Sequence, residues 1–352
     1  MEIVCPRLRK LWLITIMKVA VIGAGVIGLS TALRILQKLP DVEMTIFADK
    51  FTPDTTGDGA AGFWEPSKIG DTPAELCLKW GKATYDHLLS IIKTGDATKL
   101  GVELISGYYF FPKQKEDPDW KDACLGFRKV TRREIDLFAP EAKDGFFFTS
   151  VICSAKKYLP WMMNELRRLN CVIVKEKIES FSRLAEYYDV AVNCTGIGST
   201  ELTEDVELLP LQGQLVTVKN ITQKMFFVMN DEPYNINIFP RADEVVLGGT
   251  AFPGKWSEKP DPGIQRGILK RASKLVPDIT NSVVVNSWVG LRPFRRKGVR
   301  IERETMRFGP HKLEVIHNYG HGGGGISLHW GCAEDATWLV GECQRAVLKS
   351  NL

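Results

Sequence analysis

The sequence contains no uncharged apolar run of about 18 residues, the length that a helix needs to cross a bilayer. Neither sign of charge dominates, because 46 Lys and Arg stand against 42 Asp and Glu, a net charge of +4. Binding to nucleic acid would call for a concentrated basic patch. No segment repeats at a period of 20 to 50 residues, and no low-complexity stretch occurs. These absences argue against a membrane-spanning protein, a nucleic-acid-binding protein and a repeat protein.

Paired cysteines are also missing from the sequence. None of the eight cysteines forms a CxxC pair, and their spacing indicates neither a zinc site nor a dense disulfide framework. The five histidines supply no set of metal ligands, so we expect no metal. Several cysteines, such as Cys171 and Cys194, stand in apolar surroundings, where free cysteine behaves as a small hydrophobe. We therefore expect reduced thiols in an intracellular protein.

The chain has the composition of an ordinary folded protein, with 352 residues of which 44% are hydrophobic and 25% charged. That length suits one large domain or two ordinary ones. At the amino end, a basic cluster at residues 7–10 and a short apolar stretch superficially resemble a signal peptide. The apolar character continues into residues 19–22, which the next motif needs as a core strand. We therefore interpret residues 1–16 as a dispensable extension and Met17 as an alternative start.

A dinucleotide-binding motif follows this extension. Residues 18–22 are an apolar run suited to a buried parallel strand, and a segment with helical apolar spacing comes after the glycines. Gly23 permits a tight turn, Gly25 lets the backbone approach a pyrophosphate, and Gly28 brings helix and strand close together. Asp49 ends a second predicted strand about 20 residues after Gly28, where a ribose-binding acid is expected. The sequence therefore predicts a bound dinucleotide.

The motif by itself does not distinguish NAD from FAD. Residues 50–66 form a loop of small residues and threonines that is not typical of nicotinamide dehydrogenases and can line an extended flavin dinucleotide. Another buried strand is predicted at residues 189–193, and it ends in a Thr195-Gly196 turn of a kind that flavoproteins use beneath the cofactor. These residues favour FAD, with a nicotinamide-linked dehydrogenase as the alternative.

A series of motifs runs from residue 17 nearly to the carboxy terminus. They are DTT at 54–56, AAG at 60–62, GFR at 126–128, YLPW at 158–161, NCTG at 193–196, GQ at 213–214, LGGT at 247–250, VGLRP at 289–293 and NYGHGGGGISLHWG at 318–331. Together and in this order, they resemble the D-amino-acid oxidase and D-aspartate oxidase flavoproteins. The segment DKFTPD at 49–54 shifts the likeness toward the D-aspartate oxidase branch.

The cofactor motifs fall at both ends and in the middle of the chain, which makes the cofactor domain discontinuous. We expect an α/β fold with a Rossmann-like FAD-binding domain interleaved with a smaller, mixed-sheet substrate domain. The FAD-binding domain is assigned to residues 17–66, 151–207 and 296–352, and the substrate domain to residues 67–150 and 208–295. Strand-like runs at 214–218, 236–239 and 245–247 are expected in the sheet of the substrate domain.

The resemblance implies a set of FAD contacts beyond the first motif. In addition to Gly23, Gly25, Gly28 and Asp49, the set comprises Lys50, Thr56, Gly57, Gly62, Phe63, Ile178, Thr195, Gly322, Gly325, Ile326 and Ser327. The glycine run at 322–325 precedes an amphipathic helix, whose start supplies N–H groups and a positive dipole end. In the family, this segment holds the pyrimidine edge of the flavin and stabilises negative charge on the reduced ring.

Arg292 is the main candidate for substrate binding. It lies in an apolar frame, and the planar fork of a partly buried arginine suits a carboxylate. By resemblance, Arg292 holds the α-carboxylate of a D-amino acid whose amino group lies near the Gly323 carbonyl. The family chemistry resembles direct hydride transfer, which needs no protein base, so we expect His321 to be a scaffold residue. The resemblance implies that O2 reoxidises the flavin, and the products are a 2-oxo acid, ammonia and hydrogen peroxide.

Departures from the family pattern leave the substrate class open. Asn237 stands where a tyrosine normally helps to hold the carboxylate, and Tyr234 is a candidate substitute. The arginines shared by D-aspartate oxidases would sit near Asn230 and Ala251, and both are missing. Glu65 replaces a neutral amide of the neutral-substrate relatives, and an ionised acid there would repel D-Asp.

A side-chain carboxylate needs a cation once it is desolvated. The candidate replacements are Arg241, Lys255 and the basic run at 295–297, although a solvated surface turn also explains that run. We expect an FAD-dependent oxidase of acidic D-amino acids. The alternatives are a neutral-substrate oxidase, a nicotinamide-linked dehydrogenase and an inactive flavin-binding relative.

The carboxy-terminal residues Ser350-Asn351-Leu352 resemble the peroxisomal address Ser-Lys-Leu. An oxidase that makes hydrogen peroxide gains from catalase nearby. We therefore expect delivery to the peroxisome by its import receptor, with the cytosol as the alternative.

Overall fold

The computed structural model describes residues 16–230 and 234–350. Residues 1–15 of the predicted extension, residues 231–233 of the substrate loop and the last two residues of the predicted peroxisomal address lie outside these ranges. Among the described helices, none is both long enough and apolar enough to span a bilayer.

Strands and helices alternate along the chain. The strands are β1 (Met17–Ile22), β2 (Val42–Ala48), β3 (Val102–Phe111), β4 (Leu125–Lys129), β5 (Asp144–Cys153), β6 (Val172–Lys175), β7 (Val190–Asn193), β8 (Leu208–Lys219), β9 (Phe226–Met229), β10 (Ile236–Pro240), β11 (Val245–Gly248), β12 (Phe252–Pro253), β13 (Val283–Arg295), β14 (Arg300–Phe308) and β15 (His311–Tyr319). The helices are α1 (Val26–Lys38), α2 (Ala74–Ile92), α3 (Ala97–Leu100), α4 (Arg132–Phe138), α5 (Ala155–Arg168), α6 (Ser199–Leu202), α7 (Pro262–Leu275) and α8 (Gly325–Ser350).

The first sheet has the strand order β14-β15-β7-β1-β2-β6. Its strands are parallel except for β14, which pairs antiparallel with β15. Val19, Ala20 and Val21 of the central strand β1 are fully buried, as expected for an apolar strand covered on both faces. The predicted Rossmann-like architecture is confirmed, with β1, α1 and β2 as its first βαβ unit.

The carboxyl ends of the parallel strands meet at one edge of this sheet, where open α/β sheets bind their ligands. Gly23 follows β1, and its N–H donates to the Phe47 carbonyl of β2 at 2.7 Å. Cys194 follows β7, and its N–H donates to the Ile22 carbonyl of β1 at 2.9 Å. The glycine run at 322–325 follows β15. Motifs that are far apart in the sequence therefore share one edge.

The second sheet has the order β12-β8-β11-β10-β9-β3-β5-β4, with β13 paired along β8. The three predicted strands at 214–218, 236–239 and 245–247 lie in β8, β10 and β11. Within the described ranges this sheet has nine strands, against six in the first. Helix α7 covers one face, where Ile268 packs with Ile236 and Ile238. Asn237 and Phe239 point to the opposite face because side chains alternate along a strand.

The two sheets are joined where α2 packs along α8. The Thr84 hydroxyl accepts hydrogen bonds from the N–H groups of Trp330 and Gly331, each at 3.2 Å. A Cβ atom at Gly331 would lie 2.4 Å from the Trp80 Cα atom, so this glycine allows the close approach. The strands of the first sheet lie in the ranges predicted for the FAD-binding domain, and β5 extends three residues past the predicted boundary at 150. The division into domains stays a prediction.

Candidate active site

Gly23 and Gly28 are required by the packing of the protein itself. Gly23 has φ +109°, and a Cβ atom there would lie 2.4 Å from the Cys194 carbonyl oxygen. A Cβ atom at Gly28 would lie 1.9 Å from the Gly23 carbonyl oxygen. The tight turn between β1 and α1 therefore excludes side chains at both positions.

Gly25 has a different reason to be glycine. Its φ of −77° is accessible to any residue, and a Cβ atom there would meet no protein atom within 4 Å. As the N-cap of α1 it offers no side chain, and the first turn of the helix holds no acidic residue. Unpaired N–H groups and the positive helix end therefore face open space, which suits a pyrophosphate. The residues of this turn fit a dinucleotide.

The other residues predicted near the adenosine half lie around the same edge. Asp49 and Lys50 follow β2 and are exposed. Thr195 follows β7, and its hydroxyl bonds to Asn193 Oδ1 at 2.8 Å and pairs with the Ser199 hydroxyl at 2.7 Å, which fixes the turn. The Ile178 side chain is buried in the cluster beneath the ends of β1 and β2.

The loop after β2 is organised by a buried carboxylate. Asp58 accepts hydrogen bonds from the Thr55 N–H at 3.0 Å, the Thr55 hydroxyl at 2.7 Å and the Thr52 hydroxyl at 2.7 Å. This arrangement leaves Thr56 exposed and Gly57 partly exposed. Gly62 has φ +79°, and a Cβ atom there would lie 2.1 Å from the Cys153 carbonyl oxygen.

The ring of Phe63 packs against two other aromatic rings. It stacks on Phe239 with 4.5 Å between ring centroids and meets Phe226 edge-on at 4.7 Å. A backbone bridge to Ile152 of β5 holds the residue at the second sheet. Phe63 therefore attaches the loop to the face of that sheet that carries Phe239 and lies opposite α7, which we call the inner face.

The glycine run lies between two other segments of the chain. The Gly322 N–H donates to the Pro293 carbonyl at 2.8 Å, and the Gly323 N–H donates to the Lys68 carbonyl at 3.0 Å. The first turn of α8, which begins at Gly325, contains no acidic residue. Ile326 is buried, and the Ser327 hydroxyl accepts a hydrogen bond from the Glu65 N–H at 2.9 Å. The positive end of a long helix thus lies beside the residue that follows Arg292.

Arg292 is a cation without a carboxylate partner. Its Nη1 atom donates to the Thr250 carbonyl at 3.2 Å, and no carboxylate of the described residues forms an ion pair with it. The guanidinium packs over Gly213, where a Cβ atom would lie 2.0 Å from Nη1. Burial lowers the pKa of Arg292 to about 10, so the group is protonated at neutral pH. A desolvated cation of this kind calls for an anionic ligand.

Glu65 and Lys68 lie in the loop that follows Phe63, and their charges act on each other. Burial raises the pKa of Glu65 to about 7, against the opposing effects of the Lys68 charge and a hydrogen bond with Tyr109. Burial and the charge of Arg292 lower the pKa of Lys68, while Glu65 acts in the opposite direction. Two cations and one carboxylate are therefore coupled electrostatically within this site.

Residues 18–339 match the family described as FAD dependent oxidoreductase, or DAO. The chain belongs to the DAO family. FAD is accordingly the cofactor, as predicted. The open backbone at Gly25 and the uncapped start of α1 fit that cofactor.

Two curated relatives of this DAO-family protein are similar over nearly their full length. It is 39% identical to the D-aspartate oxidase of Homo sapiens over 341 residues, which cover 95% of this chain and 99% of the relative. It is 33% identical to the D-amino-acid oxidase of Rubrobacter xylanophilus, covering 92% of this chain and 96% of the relative. Among solved structures, glycine oxidase from Geobacillus kaustophilus has the same fold, with a TM-score of 0.75 at 18% identity, covering 93% of this chain and 95% of that one.

In this DAO-family structure, the cations that the sequence suggested for a side-chain carboxylate have other partners. Arg241 donates to the Ala60 and Ala61 carbonyls at 2.6 Å each and pairs with Glu244 at 3.1 Å. Lys255 lies over the Phe252 ring at 4.6 Å from its centroid.

The basic run at 295–297 is likewise engaged outside the site. Arg295 pairs with Asp205 at 2.8 Å, and Arg296 and Lys297 pair with Glu207 at 3.2 and 3.6 Å. Arg296 and Lys297 are largely exposed, as the surface-turn interpretation expects. Lys68, which sequence reasoning missed, is a cation that the fold brings to the glycine run, where the charge of Arg292 acts on it. The lysine lies three residues after Glu65, and nothing in the local pattern indicated that this loop meets the glycine run.

Asn237 lies in β10, whereas Tyr234 precedes that strand. Asn237 pairs in register with Val228 and Gly248, and Val228 pairs with Tyr109, so that Asn237 and Tyr109 share the inner face. Tyr234 meets the Phe252 ring edge-on at 6.2 Å, and the Arg271 guanidinium of α7 lies 4.6 Å from its ring centroid. The structure therefore places Tyr234 toward α7 and Asn237 toward the site.

His321 is buried next to the glycine run, and its Nε2 atom has no hydrogen-bond partner among the described residues. Burial, with a smaller effect of nearby His329, lowers the pKa of His321 to about 3. The imidazole is therefore neutral at physiological pH and a weak proton acceptor.

The substitution Glu65→Gln should make the enzyme more stable at alkaline pH. The folded-state pKa of about 7 lies above the ordinary value of 4.5, so the wild type loses stability as the pH rises through 7. The amide cannot ionise, and we expect the variant to gain about 2 kcal/mol over wild type at pH 8 and little at pH 4.5. Denaturant unfolding of both FAD-loaded proteins at the two pH values measures this difference. A stability difference that does not change with pH would contradict the assignment.

Proposed function

We propose that this protein oxidises D-amino acids with FAD and O2 to 2-oxo acids, ammonia and hydrogen peroxide, and that acidic D-amino acids are its substrate class. The observation that carries the proposal is Arg292, a partly buried cation that pairs with no carboxylate of the described residues, directly before the residue that meets the glycine run of an FAD-dependent fold. The similarity to D-aspartate oxidase and D-amino-acid oxidase over nearly the whole chain supports the substrate class.

The residues of the chain bind and orient the substrate. The Arg292 guanidinium donates two parallel hydrogen bonds to the α-carboxylate, which fixes the position of Cα. The Gly323 carbonyl accepts a hydrogen bond from the amino group, and the Asn237 amide donates a further bond to the carboxylate. Orientation of this kind removes translational and rotational freedom before the reaction begins.

FAD is held at the glycine turn at 23–28 and at the glycine run at 322–325. When bound, it supplies a two-electron acceptor that O2 can reoxidise, with hydrogen peroxide as the product. The positive end of α8 favours negative charge next to it. The substrate loses a hydride from Cα and a proton from nitrogen, and water hydrolyses the resulting imine to the 2-oxo acid and ammonia.

The second candidate function is a neutral-substrate D-amino-acid oxidase. It is favoured by Asn230 and Ala251, which stand where the D-aspartate oxidase arginines would lie, and by the carboxyl group of Glu65 in the site. A nicotinamide-linked dehydrogenase is no longer an alternative, because the family is FAD-dependent.

Anaerobic bleaching of the flavin absorbance by D-Asp, D-Glu, D-Ala and their L-forms tests the proposal. We expect rapid bleaching by D-Asp and D-Glu and none by the L-forms. Bleaching by D-Ala but not by D-Asp would select the neutral-substrate enzyme. A flavin that no D-amino acid bleaches would indicate an inactive relative and would sink the proposal.

We further propose that the import receptor delivers this enzyme to the peroxisome through residues 350–352, with the cytosol as the alternative. The support is the likeness of the tripeptide to Ser-Lys-Leu and the value of nearby catalase to an enzyme that makes hydrogen peroxide. A fluorescent protein fused before Met17 should colocalise with a peroxisomal marker, and deletion of residues 350–352 should disperse it. Unchanged localisation after the deletion would contradict the role of the tripeptide.

A further inference from the structure

The backbone fixes Lys68 against the glycine run. Its φ of +55° is unusual for a residue with a side chain. Its carbonyl accepts the Gly323 N–H at 3.0 Å, and a Cβ atom at Gly323 would lie 3.2 Å from the Lys68 Cβ and 3.7 Å from its Cδ. The aliphatic stem of Lys68 therefore runs along Gly323, the residue whose carbonyl is assigned to the substrate amino group.

Arg292 lies on the other side of the same glycines. The Gly322 N–H donates to the carbonyl of Pro293, the residue directly after Arg292, at 2.8 Å. Solvent reaches Lys68 and Gly323, and it reaches part of Arg292, although protein surrounds both cations on their other sides and lowers their pKa values. The segments that carry Lys68 and Arg292 therefore border the same glycines, and the charge of Arg292 acts on Lys68.

The charges of this space are unbalanced in a way that suits a dicarboxylate. Neither Arg292 nor Lys68 forms an ion pair with a carboxylate within 4 Å in the described part of the chain. Glu65 is the carboxylate whose charge acts on Lys68. With Glu65 ionised, these three side chains carry a net charge of +1, which complements the −1 charge of an acidic amino acid. A neutral amino acid would leave this net charge of +1 uncompensated.

We propose that Lys68 determines substrate specificity by binding the second carboxylate of an acidic D-amino acid while Arg292 binds the first. This inference rests on the proposed function and supplies the cation that the missing arginines would otherwise provide. A lysine ammonium is a compact point charge with three donors, so it can meet a side-chain carboxylate on a flexible stem.

Glu65 has the opposite effect on the same substrates. Its carboxylate attracts Lys68 and, when ionised, repels the incoming carboxylate of the substrate. Tyr109 holds Glu65 from the inner face of the second sheet, with a hydroxyl that also donates to Asn230 Oδ1 at 3.3 Å. Removing the charge of Glu65 should therefore favour dicarboxylates, whereas removing the charge of Lys68 should disfavour them.

The test is the ratio of kcat/KM for D-Asp to that for D-Ala in matched variants. Lys68→Met keeps an unbranched stem without the charge and should lower the ratio about 100-fold, the cost of one charge-assisted hydrogen bond. Lys68→Arg should retain most of the ratio, and Glu65→Gln should raise it several-fold. Lys297→Met, the same substitution at an exposed lysine paired with Glu207, is the control and should leave the ratio unchanged.

Binding of inert acids gives a readout that is independent of turnover. Succinate and butyrate have the same chain length and differ by one carboxylate. Perturbation of the flavin absorbance of the holoenzyme should show tighter binding of succinate in wild type and loss of this preference in Lys68→Met. An unchanged preference for succinate and an unchanged kinetic ratio in Lys68→Met would overturn the proposal.

The outcomes also separate this inference from the proposed function. If wild type oxidises D-Asp and Lys68→Met keeps the same preference, the inference on Lys68 fails and the function stands. If no D-amino acid is oxidised, the function fails, and the succinate titration still decides the role of Lys68. If Lys68→Met does not bind FAD, the Glu65→Gln variant tests the proposal instead. A ratio of kcat/KM for D-Asp to that for D-Ala that does not rise in Glu65→Gln would overturn the proposal.

Discussion

Replacing Arg292 with methionine is expected to lower kcat/KM for the oxidised D-amino acid about a thousandfold while FAD remains bound. The loss has the size of a buried, bidentate, charge-assisted contact with the α-carboxylate. Stopped-flow bleaching of the flavin gives the rate constants, and the visible spectrum reports whether FAD is retained. Arg292→Lys keeps the charge without the planar fork and should recover only part of the rate.

The same substitution should not destabilise the protein. The guanidinium has no carboxylate partner among the described residues and donates one described bond, to the Thr250 carbonyl. Removing an uncompensated buried charge should therefore raise the free energy of unfolding, by about 1 kcal/mol. If Arg292 formed a structural ion pair instead, the substitution would lower the free energy of unfolding, because it would leave a buried carboxylate without its partner. A variant that unfolds more easily and keeps its activity would contradict the assignment of Arg292 to the substrate.

Alanine at Gly25 and alanine at Gly28 should have different effects although both positions belong to one motif. At Gly25 a methyl group meets no protein atom within 4 Å and the backbone is unstrained. We expect unchanged stability of the FAD-free protein and an affinity for FAD about 10 to 100-fold weaker, because the methyl group enters the space assigned to the pyrophosphate.

At Gly28 the same methyl group would lie 1.9 Å from the Gly23 carbonyl oxygen. The turn between β1 and α1 must then open, and we expect the free energy of unfolding to fall by about 3 kcal/mol. Denaturant unfolding of the FAD-free proteins and titration with FAD, followed by fluorescence, distinguish the two variants. Equal destabilisation at both positions would mean that Gly25 serves the fold and not the cofactor.

The parts of the site that the sequence predicted depend on residue types at fixed local spacing. The spacing of Gly23, Gly25 and Gly28 and the apolar pattern on either side identify the strand, the turn and the helix. The close contact of Gly28 with the Gly23 carbonyl is local, whereas the contact that requires glycine at position 23 comes from the distant Cys194 carbonyl. The start of α8 is likewise marked by consecutive glycines before an apolar helix. Family motifs then supplied FAD, and the fold confirmed that their segments meet at one sheet edge.

The sequence patterns predicted only some of the strands of the second sheet. Aromatic runs such as Tyr108–Phe111 at the end of β3 and Phe146–Phe148 near the start of β5 lie opposite each other, because the two strands pair antiparallel. Their apolar residues do not alternate cleanly with polar ones, because both faces of this sheet are covered. The sequence therefore predicted only three strands of this sheet, which has nine within the described ranges.

The sequence by itself determined the dinucleotide turn, the glycine run and the family, because each depends on residue types at fixed local spacing. The tertiary structure decided which further cation lies at the glycine run. The candidates along the chain were Arg241, Lys255 and the run at 295–297, and the fold gives each of them a partner elsewhere. Lys68 reaches the site through a backbone hydrogen bond to Gly323, a residue more than 250 positions away. Electrostatic partners are set by distance in space, which local sequence patterns do not encode.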